Sequence, residues 1–366
     1  MNFLLKYFMR INKLDGLRGL FSIMIVLVHY NYLPFNLQNF FLIKHSYSFV
    51  DFFFVLSGFV ITYKYQKITN FYKFKVYITK RFVRLFPLLL YTSIIYLLCI
   101  FIRDFLILNF YPILSNKVIT YNSLGLNFLN NILFLNSTNL IGPSNINGPS
   151  WSISSEMISY IFFGMSSVFI KNSKIKIRFF ILTMIFILLF FINQKTFFYT
   201  SDFGFCRGLY SFLLGFFVFK INQINFKIPS FFEYFLPFFL TINFYMLDVL
   251  SNDISIVSVL FESIILPFFF GISIIVFLKT NGLISNYLEM KYFQYLGKIS
   301  YSIYLNHAIF VDFALNLIFK AFNIELTPIN QIIVFILIVA AIIIYSNYTY
   351  KYIEIQCKLL LSKYLL

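Results

Sequence analysis

Ten apolar runs recur along the chain, and they constrain its fold more than any other feature of the sequence. They lie at about 17–33, 47–63, 82–102, 150–170, 178–193, 203–220, 231–248, 254–278, 298–319 and 329–349. A membrane-spanning helix needs about 20 apolar residues. Because 60% of the 366 residues are hydrophobic, the chain carries more apolar surface than a soluble core of this size can bury. The sequence therefore predicts an all-α polytopic membrane protein, a bundle of about ten transmembrane helices.

The basic residues predict the orientation of that bundle. The formal net charge is +16, and with a cytoplasmic N-terminus 23 of the 29 Lys and Arg residues fall on the cytoplasmic side of the ten runs. The six on the opposite side are Lys44, Arg103, Lys117, Lys195, Arg207 and Lys320. Cytoplasmic loops of membrane proteins carry such an excess of positive charge, which explains the net charge better than nucleic-acid binding does. We expect both termini to be cytoplasmic.

The chain is expected to form one transmembrane domain over residues 1–366, with no fused soluble domain. Three widely separated cysteines, Cys99, Cys206 and Cys357, lack the spacing of a metal site or a disulfide framework. No small-residue cleavage site follows the first apolar run, which therefore predicts a retained first helix. The polar segment at about 103–149 is too long for a turn, and we expect a lid or binding loop there.

Two pairs of basic side chains mark the predicted first and third helices. Arg18 and His29 are eleven residues apart, about 20° from a whole number of turns, and so share one helix face. Arg81 and Arg84 also face the same way, and two guanidiniums suit phosphate oxygens. The alternatives are a cytoplasmic flank for the arginines and a packing role for His29.

Carboxylates reach the depth of His29 from the opposite side of the membrane. Asp51 lies near the outer start of the second run, and Glu156 lies about 9 Å inward from Ser150 by helical rise. Ionisable groups inside a membrane are costly and therefore functional candidates. A carboxylate and an imidazole at one depth suit a general base and the group that orients it. Trp151, the single tryptophan, lies where an interface anchor belongs.

The later runs add three candidates for contact with a substrate. Tyr304 and His307 lie in the ninth run, where His307 either lines a substrate path or hydrogen-bonds a neighbour. Arg207 opens the sixth run from outside, where it can meet an anionic group of an acceptor. His45 has no assigned role.

Five motifs in order along the chain resemble those of one family. They are Leu14–Leu20 followed by His29, Asp51–Phe59, Arg81–Pro87, Trp151–Glu156 and Leu296–His307. Together they resemble the acyltransferase-3 family of integral membrane O-acyltransferases, and the likeness covers nearly the whole chain. Two positions depart from the family pattern. Asn306 stands where many relatives carry Trp, and Ser155 stands where an acidic residue often precedes Glu156.

The resemblance implies an enzyme, an O-acetyltransferase of surface polysaccharide. The expected donor is cytoplasmic acyl-coenzyme A, usually acetyl-coenzyme A. The expected acceptor is a sugar hydroxyl of a cell-surface glycan such as O-antigen of lipopolysaccharide, capsule or exopolysaccharide. The resemblance also implies a bacterial inner membrane and its lipids as the setting. No tightly bound cofactor, metal or nucleic acid is expected.

When the family's paired motifs are matched to this chain, the resemblance implies which residues bind the acyl donor. Arg18 and His29 would be the arginine–histidine pair, and Arg81 and Arg84 the RxxR element. The three arginines are expected to hold the diphosphate and 3′-phosphate of coenzyme A, and the pantetheine arm to place the thioester near His29.

At the acyl group, His29 is expected to take the proton from the acceptor hydroxyl. Glu156 or Asp51 would orient the resulting imidazolium. Ser57 or Ser154 would donate a hydrogen bond to the thioester oxyanion or carry the acyl group covalently, and direct transfer is the preferred version.

A membrane carrier or flippase for lipid-linked sugars is the main alternative. Such a protein also has many spans and buried ionisable groups, but it more often shows inverted repeats and broken helices, which the sequence lacks. A purely structural scaffold would leave the polar groups at shared depth unexplained.

Overall fold

A computed structural model describes residues 11–30, 32–110, 123–142, 146–250, 255–315 and 327–365. Within these ranges the regular structure is helical. Ten long helices are α1 (Asn12–His29), α2 (Phe49–Lys64), α3 (Phe71–Phe110), α4 (Trp151–Phe169), α5 (Ser173–Gln194), α6 (Gly204–Asn222), α7 (Phe232–Leu250), α8 (Ile256–Lys279), α9 (Lys291–Ile309) and α10 (Pro328–Leu365). Shorter helical turns join them, among them Phe41–Lys44, Leu124–Ile132 and Leu283–Leu288.

Seven helices in the described ranges are long and apolar enough to cross a membrane. They are α2 with its preceding turn (Phe41–Lys64), α3 over Phe71–Leu106, and α5, α6, α7, α8 and α10. The protein is therefore an all-α polytopic membrane protein, as the sequence predicts. The long helices outside this set, α1, α4 and α9, carry Arg18, Glu156 and His307, and polar side chains of this kind lower a helix's mean hydropathy.

Ten spans and two cytoplasmic termini stay predictions from the charge pattern. Four of the basic residues counted in that pattern, Lys6, Arg10, Lys117 and Lys320, lie outside the described residues. Part of the expected lid loop, 111–122 and 143–145, also lies outside them.

Several helices extend beyond the apolar runs that predict them. The first begins at Asn12 and the third at Phe71, so Arg18, Arg81 and Arg84 lie inside helices and not at their ends. The last helix continues past the run at 329–349 to Leu365. Hydropathy detects the part of a helix that faces lipid, whereas backbone hydrogen bonding continues through the polar turns that face the protein interior.

Glycines let the central helices approach closely at two crossings. Where α1 crosses α9, a Cβ on Gly297 would lie 2.0 Å from the carbonyl oxygen of Asp15. Where α2 crosses α6, a Cβ on Gly58 would lie 1.9 Å from the carbonyl oxygen of Phe212. Small residues allow such backbone contact between membrane helices. These crossings hold α1 and α2 at the centre of the bundle, beside the helices that carry the remaining polar groups.

Candidate active site

A cavity of about 480 Å³ lies among α1, α2, α3, α4 and α9. Six of the side chains singled out from the sequence line it: Arg18, Ser57, Arg81, Arg84, Glu156 and Tyr304. The lining extends from Lys64, at the end of α2, to Val50, near the beginning of that helix, a distance of roughly 21 Å along it. The cavity therefore runs along most of α2, with Ser57 near the middle of the helix.

The arginines form the positive part of this cavity. Arg81 donates from Nη2 to the Tyr65 hydroxyl at 2.9 Å, and its guanidinium lies 5.1 Å from the centre of that ring. Arg18 pairs with Asp15 at 3.2 Å, one turn earlier in α1. Glu354 of α10 interacts electrostatically with both Arg18 and Arg84. The lining thus holds four cationic side chains and two carboxylates, Asp15 and Glu156, and this net positive charge suits a polyanionic ligand. The cationic side chains are Arg18, Lys64, Arg81 and Arg84.

Glu156 lies in the cavity at the centre of a small hydrogen-bond network. Its Oε1 accepts from the Ser57 hydroxyl at 2.7 Å and also from the Tyr160 hydroxyl. The two hydroxyls are themselves 2.9 Å apart. Tyr160 is one helical turn after Glu156 and therefore shares its face, while Ser57 reaches it from α2. Arg84 and Arg18 interact electrostatically with the Glu156 carboxylate.

Tyr304 lies at the inner part of the lining. Its hydroxyl donates to the carbonyl oxygen of Pro149 at 3.1 Å and lies 2.8 Å from the Ser152 hydroxyl. The Tyr304 ring is also 5.9 Å from the ring of His307. Tyr304 therefore stands between the arginine cavity and the histidines.

His29 and His307 lie together, away from the arginines. Their ring centres are 4.9 Å apart, and His307 is buried whereas His29 is exposed. His29 Nδ1 is 2.8 Å from the carbonyl oxygen of Ile25, so this nitrogen donates and Nε2 is left as the basic one. Within the described residues, the cavity lining includes neither histidine.

The sequence predicts a partnership between His29 and either Glu156 or Asp51, but the structure places these carboxylates elsewhere. Glu156 binds Ser57 and Tyr160, as described above. Asp51 is fully buried and receives three hydrogen bonds from Arg207: from Nε to Oδ1 at 3.0 Å and to Oδ2 at 3.3 Å, and from Nη2 to Oδ2 at 2.7 Å. Each charge of that pair neutralises the other, so the geometry favours a structural role for both residues. The sequence instead predicts that Asp51 orients His29 and that Arg207 meets an anionic group of the acceptor.

Aromatic rings enclose the Asp51–Arg207 pair. The Arg207 guanidinium lies 5.2 Å from the Trp151 ring centre and 4.8 Å from that of Phe198, at cation–π distance. Trp151 therefore covers this ion pair, in addition to its predicted place at an interface. Ser154, the other predicted supporting residue on α4, donates to the carbonyl oxygen of Phe134 at 2.6 Å and lies 2.8 Å from the Ser137 hydroxyl. It therefore fixes the preceding loop and does not face the cavity.

Sequence reasoning missed Tyr160 and Glu354. Tyr160 follows Glu156 by four residues, a spacing that by itself indicates a shared helix face. Glu354 comes after the last apolar run and enters the site because α10 continues through it; its Oε2 accepts from Ser302 at 3.2 Å. An acidic residue in the turn after an apolar run is the sequence feature that identifies it.

A comparison with family models identifies the family of this chain. The model of the acyltransferase-3 family, described as an acyltransferase domain, matches residues 11–347. The chain belongs to the acyltransferase-3 family. Searches of the curated proteins and of the solved structures found no match. With its apolar helices, the protein is a multi-pass membrane acyltransferase.

Proposed function

We propose that this acyltransferase moves an acetyl group from cytoplasmic acetyl-coenzyme A to a hydroxyl of a cell-surface glycan, in a bacterial inner membrane. The observation that carries the proposal is the convergence of Arg18, Arg81 and Arg84 on the cavity that also contains Glu156 and Ser57. The glycan class, O-antigen, capsule or exopolysaccharide, comes from the family resemblance.

The arginines support coenzyme A as the donor. Guanidiniums bind phosphate oxygens in pairs, and coenzyme A carries a diphosphate and a 3′-phosphate at one end of a thin pantetheine arm. The cavity that these arginines line also contains Ser57 and Glu156, toward which a bound thioester can extend. The predicted cytoplasmic side of the bundle is the side on which these arginines lie.

His29 supports an acceptor site beyond the donor cavity. Its imidazole is exposed, with Nε2 as the basic nitrogen, and it stands next to His307. In the proposal the acceptor hydroxyl approaches from the opposite side of the membrane and gives its proton to His29. Tyr304, between the two sites, lies next to the acyl group during transfer.

Glycan analysis by mass spectrometry tests this function in cells. Cells without the gene are expected to make the full-length glycan lacking the acetyl mass, and the wild-type gene is expected to restore that mass. A carrier or flippase predicts a different result, namely loss of the whole surface glycan. Intact, fully acetylated glycan in cells without the gene would contradict the proposal.

A further inference from the structure

Ser57 has a chemical setting that distinguishes it from the other serines of the cavity. Within the described residues, the lining also contains Ser152 and Ser300. Ser300 donates to Gly297 of its own helix at 3.0 Å, and Ser152 lies 3.0 Å from the carbonyl oxygen of Pro149. Ser57 alone among the three faces a carboxylate, that of Glu156 at 2.7 Å.

A serine hydroxyl hydrogen-bonded to a base, with a third group holding the base, is the arrangement of an activated nucleophile. Glu156 is the base in this arrangement, and Tyr160 contacts both Glu156 and Ser57. Ser57 is partly exposed to the cavity and not buried in packing. Ser154, the other serine considered from the sequence, is buried and bound to Ser137 and Phe134.

The separation of the two ends of the site also requires a way to move the acyl group. The arginines, Ser57 and Tyr304 line one cavity, whereas His29 lies outside that lining, next to His307, whose ring is 5.9 Å from that of Tyr304. A thioester bound by the arginines therefore reaches Ser57 before it reaches His29. An acyl group held at mid-helix lies between the donor end and the acceptor end.

We infer that Ser57 is a catalytic nucleophile that carries the acyl group as an ester, with Glu156 as its base; the inference rests on the proposed function. In the first half-reaction the Oγ–acyl carbon bond forms and the thioester C–S bond breaks. The hydroxyl proton passes to Glu156. Coenzyme A leaves as a thiolate beside the charges of Arg18 and Arg84, and takes its proton from water at the mouth of the cavity.

In the second half-reaction the acceptor oxygen bonds to the acyl carbon and the ester bond to Ser57 breaks. The acceptor hydroxyl gives its proton to His29, which releases it to water on the acceptor side. Glu156 returns its stored proton to Oγ. The sum is one acyl ester and one free coenzyme A thiol for each thioester and hydroxyl consumed, so atoms and charges balance.

The test is to incubate the purified full chain in detergent, without acceptor, in two separate reactions. One contains acetyl-coenzyme A radiolabelled in the acetyl group, and the other contains unlabelled acetyl-coenzyme A with radiolabelled free coenzyme A. Wild-type protein is expected to take up the acetyl label on the peptide that contains Ser57 in the first reaction, and to exchange labelled coenzyme A into acetyl-coenzyme A in the second. Ser57→Ala should lose both, together with at least about 100-fold of the transfer rate. The matched control is Ser159→Ala, because Ser159 is a buried serine that bonds only to Ser155 of its own helix among the described residues.

Ser57→Cys covers the case in which the alanine variant does not fold. It should accept the acyl group as a thioester, which neutral hydroxylamine releases, whereas the ester on wild-type Ser57 resists that treatment. Folded Ser57→Ala protein that transfers at the wild-type rate would overturn the covalent relay and leave the proposed function standing. Wild-type transfer to glycan with no acylated Ser57 peptide and no exchange would do the same. Absence of any transfer by wild-type protein would overturn both.

Discussion

For Arg84, a role in coenzyme A binding and a role in membrane topology alone predict different results. It lines the cavity and interacts with Glu156 and Glu354. A hydrogen bond to a charged group contributes about 1.5–3 kcal/mol, so Arg84→Ala should weaken acyl-coenzyme A binding by about tenfold or more. The loss should shrink at high salt, because ions screen the attraction to phosphate.

The control for Arg84 is Arg178→Ala. Arg178 is an exposed residue of α5 on the same predicted side of the membrane, and within the described residues it is outside the cavity lining. Binding is measured by titration with acetyl-coenzyme A at two ionic strengths. Equal affinities of the two variants would assign Arg84 to topology alone.

His29 makes a separate prediction, since it lies outside the donor cavity. His29→Ala should lower kcat by about 100-fold, the usual contribution of a general base, while donor binding stays at the wild-type value. His45→Ala serves as the control, because His45 binds Asp248 at 3.0 Å and has no part in the proposed chemistry. Full transfer by folded His29→Ala protein would remove His29 from the mechanism.

The pair formed by Asp51 and Arg207 connects α2 to α6 and yields a prediction about these two elements. Removing one member of a buried ion pair costs about 3–5 kcal/mol, because the other charge stays buried without compensation. Asp51→Ala should therefore lower the thermal unfolding temperature, and adding Arg207→Leu should restore part of it. Differential scanning fluorimetry measures both. A double variant no more stable than Asp51→Ala would contradict a structural pair.

The crossing of α2 and α6 offers a second prediction about packing. Gly58→Ala places a methyl group where the Phe212 carbonyl oxygen already stands, 1.9 Å away. Overpacking of this kind costs about 1–3 kcal/mol, which should lower the unfolding temperature by roughly 3 °C or more. Gly125→Ala is the matched control, because a Cβ there meets nothing within 4 Å. An unchanged unfolding temperature in Gly58→Ala would contradict this prediction, because it would show that the two helices shift to accommodate the added methyl group.

Elements were easier to predict from the sequence than the contacts between them. Each of the ten apolar runs corresponds to a long helix, because the membrane requires backbone hydrogen bonds to close within a segment. The helix ends were not predicted, since α1, α3 and α10 continue into polar turns. The extension of α3 brings Arg81 to the cavity, and that of α10 brings Glu354 within electrostatic reach of Arg18 and Arg84.

The site was only partly predictable for a related physical reason. Helical spacing and depth suffice to place Arg81 and Arg84 on one face and Glu156 inside the bundle. They do not tell which neighbouring helix each face meets. As a result, the sequence linked Glu156 and Asp51 to His29. In the structure Glu156 accepts a hydrogen bond from Ser57, and Asp51 forms a salt bridge with Arg207.

At the scale of the whole molecule, the charge pattern and the cavity agree with the proposed direction of transfer. The net charge of +16 marks the predicted cytoplasmic side, and the arginines of the cavity bring part of it to the proposed donor site. Within the described residues the two histidines lie outside the cavity lining, and the ring of His307 is 5.9 Å from that of Tyr304. In the proposed function, the acyl group is received at the arginines and delivered toward the histidines.

The most direct test of this account is transfer of radiolabelled acetyl from acetyl-coenzyme A to purified glycan by the purified protein in proteoliposomes. The account predicts label in ester linkage on the glycan, with one free coenzyme A formed for each acetyl transferred. Glycan that stays unlabelled while the protein moves it across the membrane would contradict the account and establish a carrier instead.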